Sequence, residues 1–439
     1  MKTIVASKPF AAAAAACSAC LEKDPLRHHP GRLRVGRTRD ALVLATATRT
    51  EKVRISFRIP CEAGEPWVAV LDADGAARLA KALKSIAAGS PRKNGNGGGV
   101  EIVRIETTLA VSAGGRRVTL HAGNPQDDES GPPDGDTRIV TGDGDFASRI
   151  RRAMPFCAPA EYRDVVKGPF VYFRDADDGS LAVPVVVATD GHRLFVDGDA
   201  RDCADTDTVL RVPGESWPSA ARALDAGFER VRLVRTVVPQ SACDGDDEKK
   251  PADKHLDHLV FESADREVRI LLEEPQTSLP HWSSFVPRDT EAAGLDVTCD
   301  KADLARAAKA AGSGSRLSSK SCMLKAQPER GMLRIRSADP DGSAVEQEVD
   351  AEVRGASDVW VHLNPKYVTD AIGAMGTQKV RIRQMHPPLA PVRFLEVAPG
   401  GVELRPRGII VMPVRGNDPP EESRAENAGE AEIEQTAAS

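Results

Sequence analysis

The order of apolar and polar positions predicts one folding unit that is repeated three times along the chain. In each copy an alternating strand leads into an Ala-rich helix that ends at glycine, and a second short strand follows the helix. The three helices are predicted over residues 72–89, 214–227 and 364–376. The strands before them are predicted at 67–71, 208–213 and 359–363, and the strands after them at 100–105, 231–233 and 380–382.

A further helix precedes each of these units, near Ser7, Gly144 and Asp300, at a separation of 64 to 70 residues. Two helices and several short antiparallel strands in a repeat of about 140 residues predict three copies of one small domain. The fold class is therefore predicted to be α+β, with two helices packed on antiparallel sheets in each domain.

Changes in composition suggest where the domains begin and end. An acidic linker is expected at 125–137, a low-complexity surface loop at 243–254, and a disordered acidic tail at 417–439. The three domains are expected at residues 1–124, 138–290 and 294–416.

The formal charge of −6 over 439 residues excludes a strongly basic nucleic-acid coat. The charge is unevenly placed, because segment 417–439 holds seven acids against the single base Arg424, and segment 125–136 holds five acids and no base. The rest of the chain therefore carries +5. Bases on one helix usually mark only a solvated face, but their recurrence across repeats favours a shared positive surface. The bases that recur on the predicted helices are Arg78, Lys81, Lys84, Arg149, Arg151, Arg152, Lys301 and Arg306.

Signatures of common enzymes are absent from the sequence, which has no phosphate loop of the GxxxxGK[ST] type, no HExxH and no GxSxG. Cys17 and Cys20 form a lone CxxC, for which small buried thiols are favoured over zinc or redox chemistry. His255 and His258 suggest at most weak, adventitious metal binding. We therefore predict a protein without catalytic activity, cofactor or metal.

The first residues superficially resemble a secretion signal, because an alanine run at 11–16 precedes Cys17. Lys8 interrupts this region, and residues 3–6 predict a strand that runs into an Ala-rich helix. No run of about 18 uncharged apolar residues predicts a membrane span. The eight scattered cysteines favour a reduced compartment, so we expect a cytoplasmic protein.

The most specific segment of the sequence is 187–196, where a strand, a tight Asp-Gly turn and a second strand predict a β-hairpin. This stretch resembles the Ala-Thr-Asp-Gly-His-Arg-Leu hairpin in the second domain of the bacterial DNA polymerase III beta sliding clamp family. Three further stretches are similar to motifs of that family. They are a turn at 279–287, an Asn-x-x-Tyr helix start at 364–368, and a Met-Pro-x-Arg strand at 409–415.

The resemblance implies a head-to-tail homodimer of three-domain subunits, in which each chain forms half of a closed ring with helices lining the hole. Such a ring holds double-stranded DNA without reading its sequence, and it performs no chemistry on the DNA. The implied function is that of a DNA polymerase III processivity factor. Its implied partners are DNA polymerase subunits, the clamp loader and repair proteins, which bind through linear motifs.

The resemblance also implies a peptide pocket between domains 2 and 3. Aliphatic and Met side chains would bury apolar anchors of the peptide, and His192 and Arg193 would bond its polar groups. That Val411 and Met412 are simply strand core remains an alternative. The residues carried over are Val166, Thr189, Gly191, His192, Arg193, Leu194, Pro280, Phe285, Asn364, Tyr367, Ile410, Val411, Met412, Pro413 and Val414.

Departures from the family concern the pocket, the tail and the subunit seam. Ser284 stands where the family usually has Arg, and the acidic segment after the last motif is hypothesised to compete with partners or DNA. Domain 1 resembles the family only faintly. The seam is expected at Val118, Leu120, Lys309 and Ala310. Because Lys309 replaces an aliphatic residue, ring closure is expected to be weaker than is typical of the family.

The altered seam supports an alternative function, that of a diverged clamp paralogue. Such a protein would act as a protein-binding scaffold or a specialised repair clamp without encircling DNA efficiently. A hydrolase or nuclease rests only on scattered His, Asp and Cys residues.

Overall fold

A computed structural model divides the chain into two compact units. The first unit comprises Met1–Gly191 and Val196–Pro280, and the second comprises His192–Phe195 and His281–Ser439. The structure describes residues 2–21, 32–47, 53–89, 99–105, 107–113, 116–123, 136–141, 145–158, 167–198, 207–214, 217–224, 228–238, 254–274, 282, 286, 294–314, 321–338, 343–354, 359–384, 390–399 and 401–414. The predicted linker up to residue 135, the insertion up to residue 253 and the acidic tail lie outside these ranges.

The described residues form six α-helices, two short 3-10 helices (Met154–Phe156 and Pro328–Arg330) and 25 strands. The helices are α1 Ser7–Cys20, α2 Ala73–Gly89, α3 Phe146–Ala153, α4 Trp217–Leu224, α5 Lys301–Gly314 and α6 Pro365–Ala374. The first eight strands are β1 Lys2–Ala6, β2 Leu33–Arg37, β3 Ala41–Ala47, β4 Val53–Pro60, β5 Trp67–Leu71, β6 Gly99–Ile105, β7 Thr108–Ala113 and β8 Arg116–His121. The next nine are β9 Asp136–Thr141, β10 Phe170–Asp175, β11 Leu181–Ala182, β12 Val186–Thr189, β13 Arg193–Asp197, β14 Thr208–Arg211, β15 Arg230–Val238, β16 Lys254–Ser263 and β17 Arg266–Leu271. The last eight are β18 Leu295–Asp300, β19 Cys322–Gln327, β20 Met332–Ala338, β21 Ala344–Val353, β22 Trp360–Leu363, β23 Lys379–Gln384, β24 Val392–Val397 and β25 Glu403–Val411.

Strand pairing repeats three times along the chain. The antiparallel order β1-β6-β7-β8 recurs as β9-β15-β16-β17 and as β18-β23-β24-β25. The order β5-β2-β3-β4 recurs as β22-β19-β20-β21, and β14-β10-β12 follows the same pattern in the middle repeat. The predicted α+β fold of repeated domains is confirmed.

The first two repeats are also joined by strand pairing. The last strand of the second repeat, β17, pairs antiparallel with β4 of the first repeat, from Arg266 opposite Phe57 to Ile270 opposite Val53. The final strand of the second repeat therefore extends a sheet of the first.

The helices begin where capping residues place them. Asp72 Oδ1 accepts a hydrogen bond from the backbone N–H of Gly75 at 2.7 Å, and Asn364 Oδ1 accepts one from the N–H of Lys366 at 2.9 Å. Both side chains satisfy first-turn donors that lack an intrahelical acceptor, so α2 and α6 each start one residue after the predicted position.

The alanine-rich composition lets the paired helices pack closely. In α1 the side chains of Phe10, Ala13, Ala14 and Cys17 are buried against the neighbouring elements, which include α2. In α2 the residues Leu79, Leu83 and Ile86 form the buried stripe, at the spacing of one helix face. Each buried Leu or Ile stabilises the fold by roughly 2 kcal/mol.

The strand predicted at 3–6 and the helix that follows it are confirmed as β1 and α1. Among the helices of the described residues, none has the length and apolar character needed to cross a membrane.

Candidate functional site

The hairpin singled out in the sequence consists of β12, a turn at residues 190–192 and β13. Gly191 has a φ of 87°, which an L side chain rarely adopts. A Cβ built on Gly191 would meet nothing within 4 Å, so glycine is required here by backbone conformation and not by space. Thr189 Oγ1 tightens the turn by accepting a hydrogen bond from Gly191 N–H at 3.1 Å. The predicted hairpin is confirmed.

Arg193 begins the second strand of this hairpin and is buried, with 5% of its side chain exposed. Its guanidinium carbon lies 4.3 Å from the centre of the Tyr367 ring, within the range of a cation–π interaction. Its Nη1 donates a hydrogen bond to Asp370 Oδ2 at 2.6 Å. Both partners lie on α6, in the same unit as Arg193.

The first turn of α6 presents the other side of the site. The Asn364 cap and Pro365 at the first helical position start the helix and place Tyr367 beside His192, with ring centres 6.3 Å apart and planes inclined by 24°. Lys366 Nζ lies 2.5 Å from the same Asp370 oxygen that Arg193 contacts. One carboxylate is therefore shared by a buried guanidinium and an exposed ammonium group.

The end of β25 completes the site. The backbone N–H of Met412 donates to His192 O at 2.9 Å, and the N–H of Val414 donates to His362 O at 3.0 Å. Met412 is 37% exposed, whereas Ile410 and Val411 are buried. The resulting hairpin site, defined as His192, Arg193, Asn364, Tyr367 and Met412, combines an exposed thioether, an aromatic ring and an exposed imidazole.

The structure distributes the other predicted pocket residues differently. Leu194, Ile410 and Val411 are buried strand residues, which favours the alternative of strand core for Val411. Pro413 and Val414 are half-buried, and Thr189 and Gly191 form the turn of the first unit. Val166, Pro280, Ser284 and Phe285 lie outside the described residues.

Lys366 and Asp370 were not among the predicted residues. Their spacing of four positions on a predicted helix is the signal that could have identified them as an ion pair. That Asp370 also receives the buried Arg193 depends on a contact across 177 positions, which no local pattern reveals.

The basic residues predicted to face DNA occupy two kinds of environment. Arg78, Lys81 and Lys84 are exposed on α2, and Arg151 is exposed on α3. On α5, Arg306 is exposed and pairs with Asp303, whereas Lys301 Nζ donates to the backbone carbonyl of Met375. Most of the bases predicted to face DNA are therefore exposed at the surface.

Arg149 is the exception, because only 9% of its side chain is exposed. Its guanidinium donates to the carbonyls of Val183 and Asp197, each at 2.8 Å, and lies 3.3 Å from the Asp197 carboxylate. Arg152 is half-buried and also contacts Asp197, at 3.1 Å. Burial on this network corrects the expectation that Arg149 faces DNA.

The predicted seam residues lie on β8 and α5. Val118 and Ala310 are half-buried and Lys309 is exposed. Leu120 is only 2% exposed, because it packs within its own unit. Leu120 therefore offers no apolar surface to a second subunit.

The cysteine and histidine motifs lie in regular elements of the fold. Cys17 and Cys20 are buried, as predicted, and neither forms a disulfide; burial raises the pKa of Cys17 well above its ordinary value. His255 and His258 lie in β16, where Asp257 is paired with Arg235 at 2.8 Å. Within the described ranges, no group of three or more His, Cys, Asp or Glu residues is placed to hold a metal ion.

Part of the chain matches a known protein family. Residues 286–392 match the family described as DNA polymerase III beta subunit, C-terminal domain. The match covers about a quarter of the chain, within its third repeat. A search of curated protein sequences found no match at a significant level.

The beta-subunit fold extends over nearly the whole chain. The sliding clamp of Pseudomonas aeruginosa bound to griselimycin aligns with a TM-score of 0.70 and 20% identity, over 95% of this chain and 100% of that one. The beta subunit of Streptococcus pyogenes aligns at 0.68 and 15% identity over 95% and 100%, and the Bacillus subtilis clamp at 0.67 and 17% over 95% and 99%. At these identities the alignments show a shared fold: the chain has the sliding-clamp fold, with a recognisable beta-subunit domain in its third repeat.

Proposed function

We propose that the protein is a sliding clamp, a non-enzymatic processivity factor that encircles double-stranded DNA and holds DNA polymerase subunits, the clamp loader and repair proteins beside it. The observation that carries this proposal is the way in which the last strand of the second repeat extends a sheet of the first. That strand, β17, pairs with β4. The corresponding strand of the first repeat is β8, and by the same arrangement we expect it to pair with a strand from another copy of the chain.

The two strands that would meet across such a seam are β8 and β21. Within the part of the chain that the structure describes, β8 pairs only with β7, and residues 344–350 of β21 pair only with β20. If β8 of one copy extends β21 of a second, the same contact recurs on the other side of the dimer. Two copies then close head to tail, as a cyclic dimer requires.

The charges on these strands support the pairing. Exposed Arg116 and Arg117 lie on β8, whereas Glu346, Glu348 and Asp350 are exposed on β21. Opposite charges across a seam favour the correct register and partner. We therefore propose a homodimer whose seam is more ionic than apolar, consistent with the burial of Leu120 and the exposure of Lys309.

Exposed bases on α2, α3 and α5 support contact with DNA phosphates. Such contacts do not depend on base sequence and are compatible with movement along the duplex. Arg149 is left out of the proposed set because its guanidinium is buried.

The hairpin site is proposed to bind linear peptides of partner proteins. Met412 and Tyr367 would contact apolar anchors, and exposed His192 would contact polar groups of the peptide. Arg193 is proposed to position Tyr367 and not to contact the peptide, because its side chain is buried beneath that ring.

The decisive experiment is retention on circular DNA. The chain is loaded onto nicked circular DNA by a clamp loader, isolated by gel filtration, and the DNA is then linearised. A sliding clamp remains on the circle and leaves after linearisation. Equal retention on both forms, or retention on neither, contradicts encirclement.

The ionic seam also favours a second candidate, a diverged clamp that acts as a scaffold. This protein would bind partner peptides at the hairpin site yet show no topological retention. Light scattering that gives a monomer, together with peptide binding, supports this second candidate.

A further inference from the structure

The chain leaves the described structure beside the hairpin site. Two backbone hydrogen bonds fix its path, from Met412 N–H to His192 O and from Val414 N–H to His362 O. His362 lies two residues before the Asn364 cap of α6. The segment that follows Val414 therefore starts next to the proposed peptide surface.

The rim of this surface, which is the first turn of α6, presents Lys366 as its exposed base. Asp370 is shared by Arg193 at 2.6 Å and Lys366 at 2.5 Å, so this cluster contains two positive groups and one negative group. Lys366 is the exposed member, with 68% of its side chain accessible. The positive end of the α6 dipole lies at the same turn and adds to the potential there.

The segment 417–439 is complementary in charge to this rim. It carries a net charge of −6, from seven acids and one base. Asp418, Glu421 and Glu422 come within eight positions of Val414. Since an extended chain spans at most about 3.5 Å per residue, the chain from Val414 to Glu422 is at most roughly 28 Å long.

We infer that the acidic segment 417–439 binds in cis to the Lys366 rim and competes with partner peptides for the hairpin site. This inference rests on the proposed function and adds a regulator to the same site. Tethering raises the effective concentration of the segment to the order of millimolar, so weak ionic contacts suffice for partial occupancy. A partner peptide must displace the segment before it binds.

The first experiment compares peptide affinity in three forms of the chain. A fluorescein-labelled peptide with leucine and phenylalanine anchors is titrated with the full chain and with a form lacking residues 417–439. It is also titrated with a form of equal length whose seven tail acids are changed to Gln or Asn. We expect the two modified forms to bind the peptide roughly three- to tenfold more tightly at low salt. The difference should vanish near 1 M salt, where screening acts within about 3 Å.

The neutralised tail is the matched control for chain length. Tighter binding by the truncated form alone would indicate steric obstruction and overturn the ionic competition. Equal affinities for all three forms would overturn the inference while leaving peptide binding intact.

The second experiment detects the contact without any peptide. A carbodiimide joins amines to carboxylates that are in contact, and mass spectrometry then locates the cross-links in the full chain. We expect cross-links between Lys366 and acids of the segment 418–434, and their loss in Lys366→Arg. Cross-links confined to Lys81, Lys84 or Lys309 would place the segment on the DNA-facing helices and overturn the inference.

The two experiments separate the inference from the proposed function. If no form of the chain binds the peptide, the proposed peptide site fails, and the cross-links still decide whether the segment occupies the rim. If the peptide binds and the cross-links to Lys366 are absent, the inference fails alone.

Discussion

The guanidinium of Arg193 lies 4.3 Å from the centre of the Tyr367 ring, although the two residues are separated by more than 170 positions. Arg193 is buried and also contacts Asp370. The half-buried Tyr367 ring therefore packs on a cation, and a carboxylate holds that cation in place.

Replacing the Arg193 guanidinium tests whether its contacts with Tyr367 and Asp370 stabilise the fold. Arg193→Lys is expected to lower the free energy of unfolding of the second unit by about 2 kcal/mol, because an ammonium group cannot stack on the ring and bond Asp370 in the same geometry. Urea denaturation followed by tyrosine and tryptophan fluorescence measures the change. Arg354→Lys, at an exposed position, should shift the free energy by no more than about 0.5 kcal/mol. Equal effects of the two changes would contradict the proposed support.

Peptide binding should depend on the exposed thioether. Met412→Ala is expected to weaken binding of an apolar-anchored peptide about tenfold, as loss of a central anchor typically does. Fluorescence anisotropy measures the affinity. Leu404→Ala changes another exposed apolar residue of β25 and should leave the affinity unaltered. A loss of the same size in both variants would show that Met412 has no special role.

Replacing Arg149 should lower the stability of the fold, whereas replacing Arg151, on the same helix, should lower DNA affinity. Arg149→Gln is expected to cost on the order of 3 kcal/mol of stability, because it removes a buried partner of Asp197. Arg151→Gln should leave stability nearly unchanged and reduce both DNA affinity and its salt dependence. Urea denaturation and DNA titrations at several salt concentrations measure these quantities. A stable Arg149→Gln variant with weakened DNA binding would restore the original expectation for Arg149.

The proposed seam can be tested by exchanging its charges. Arg116→Glu with Arg117→Glu is expected to raise the dimer dissociation constant at least about tenfold, since like charges would then face each other. Adding Glu346→Lys and Glu348→Lys to the same chain should restore much of the affinity. Sedimentation velocity over a concentration series measures the constant, with Arg39→Glu as a charge control outside the seam. Failure of the exchange to restore any affinity would argue against the pairing of β8 with β21.

Stability should fall in mild acid because of two half-buried histidines. Burial lowers the pKa of His362, and burial together with Arg269 lowers the pKa of His258. The folded state therefore favours the neutral rings, whereas the unfolded chain takes up protons near its ordinary pKa of about 6.5. Stability is full above that pH and is lost as the pH falls through the folded-state values.

His362→Gln should reduce the difference in urea midpoint between pH 7.5 and pH 5, because one of the two depressed groups is removed. His255→Gln, at an exposed position of β16, is the matched control and should leave the difference as it is. If His362→Gln has no more effect than the control, burial of His362 does not contribute to the pH dependence.

Local patterns predicted much of the fold. The threefold order of strand and helix follows from apolar periodicity, and the starts of α2 and α6 follow from the capping side chains of Asp72 and Asn364. The hairpin turn follows from Gly191, whose positive φ is a property of a few neighbouring residues. Such features depend on residues that are close together in the sequence, so they can be predicted from the sequence alone.

Tertiary packing decided which side chains of those elements are exposed to solvent and which are buried. Arg149 and Arg151 are two positions apart on α3, yet one is buried on Asp197 and the other is exposed. Leu120 faces the interior of its own unit, and Asp370 receives Arg193 from a distant hairpin.

The sequence by itself thus determined the repeat, the helices and the turn, because each depends on hydrogen bonds and apolar spacing between near neighbours. Only the tertiary structure decided which bases face solvent and which carboxylate holds the site. Those outcomes depend on the face that each element turns toward residues far away in the chain.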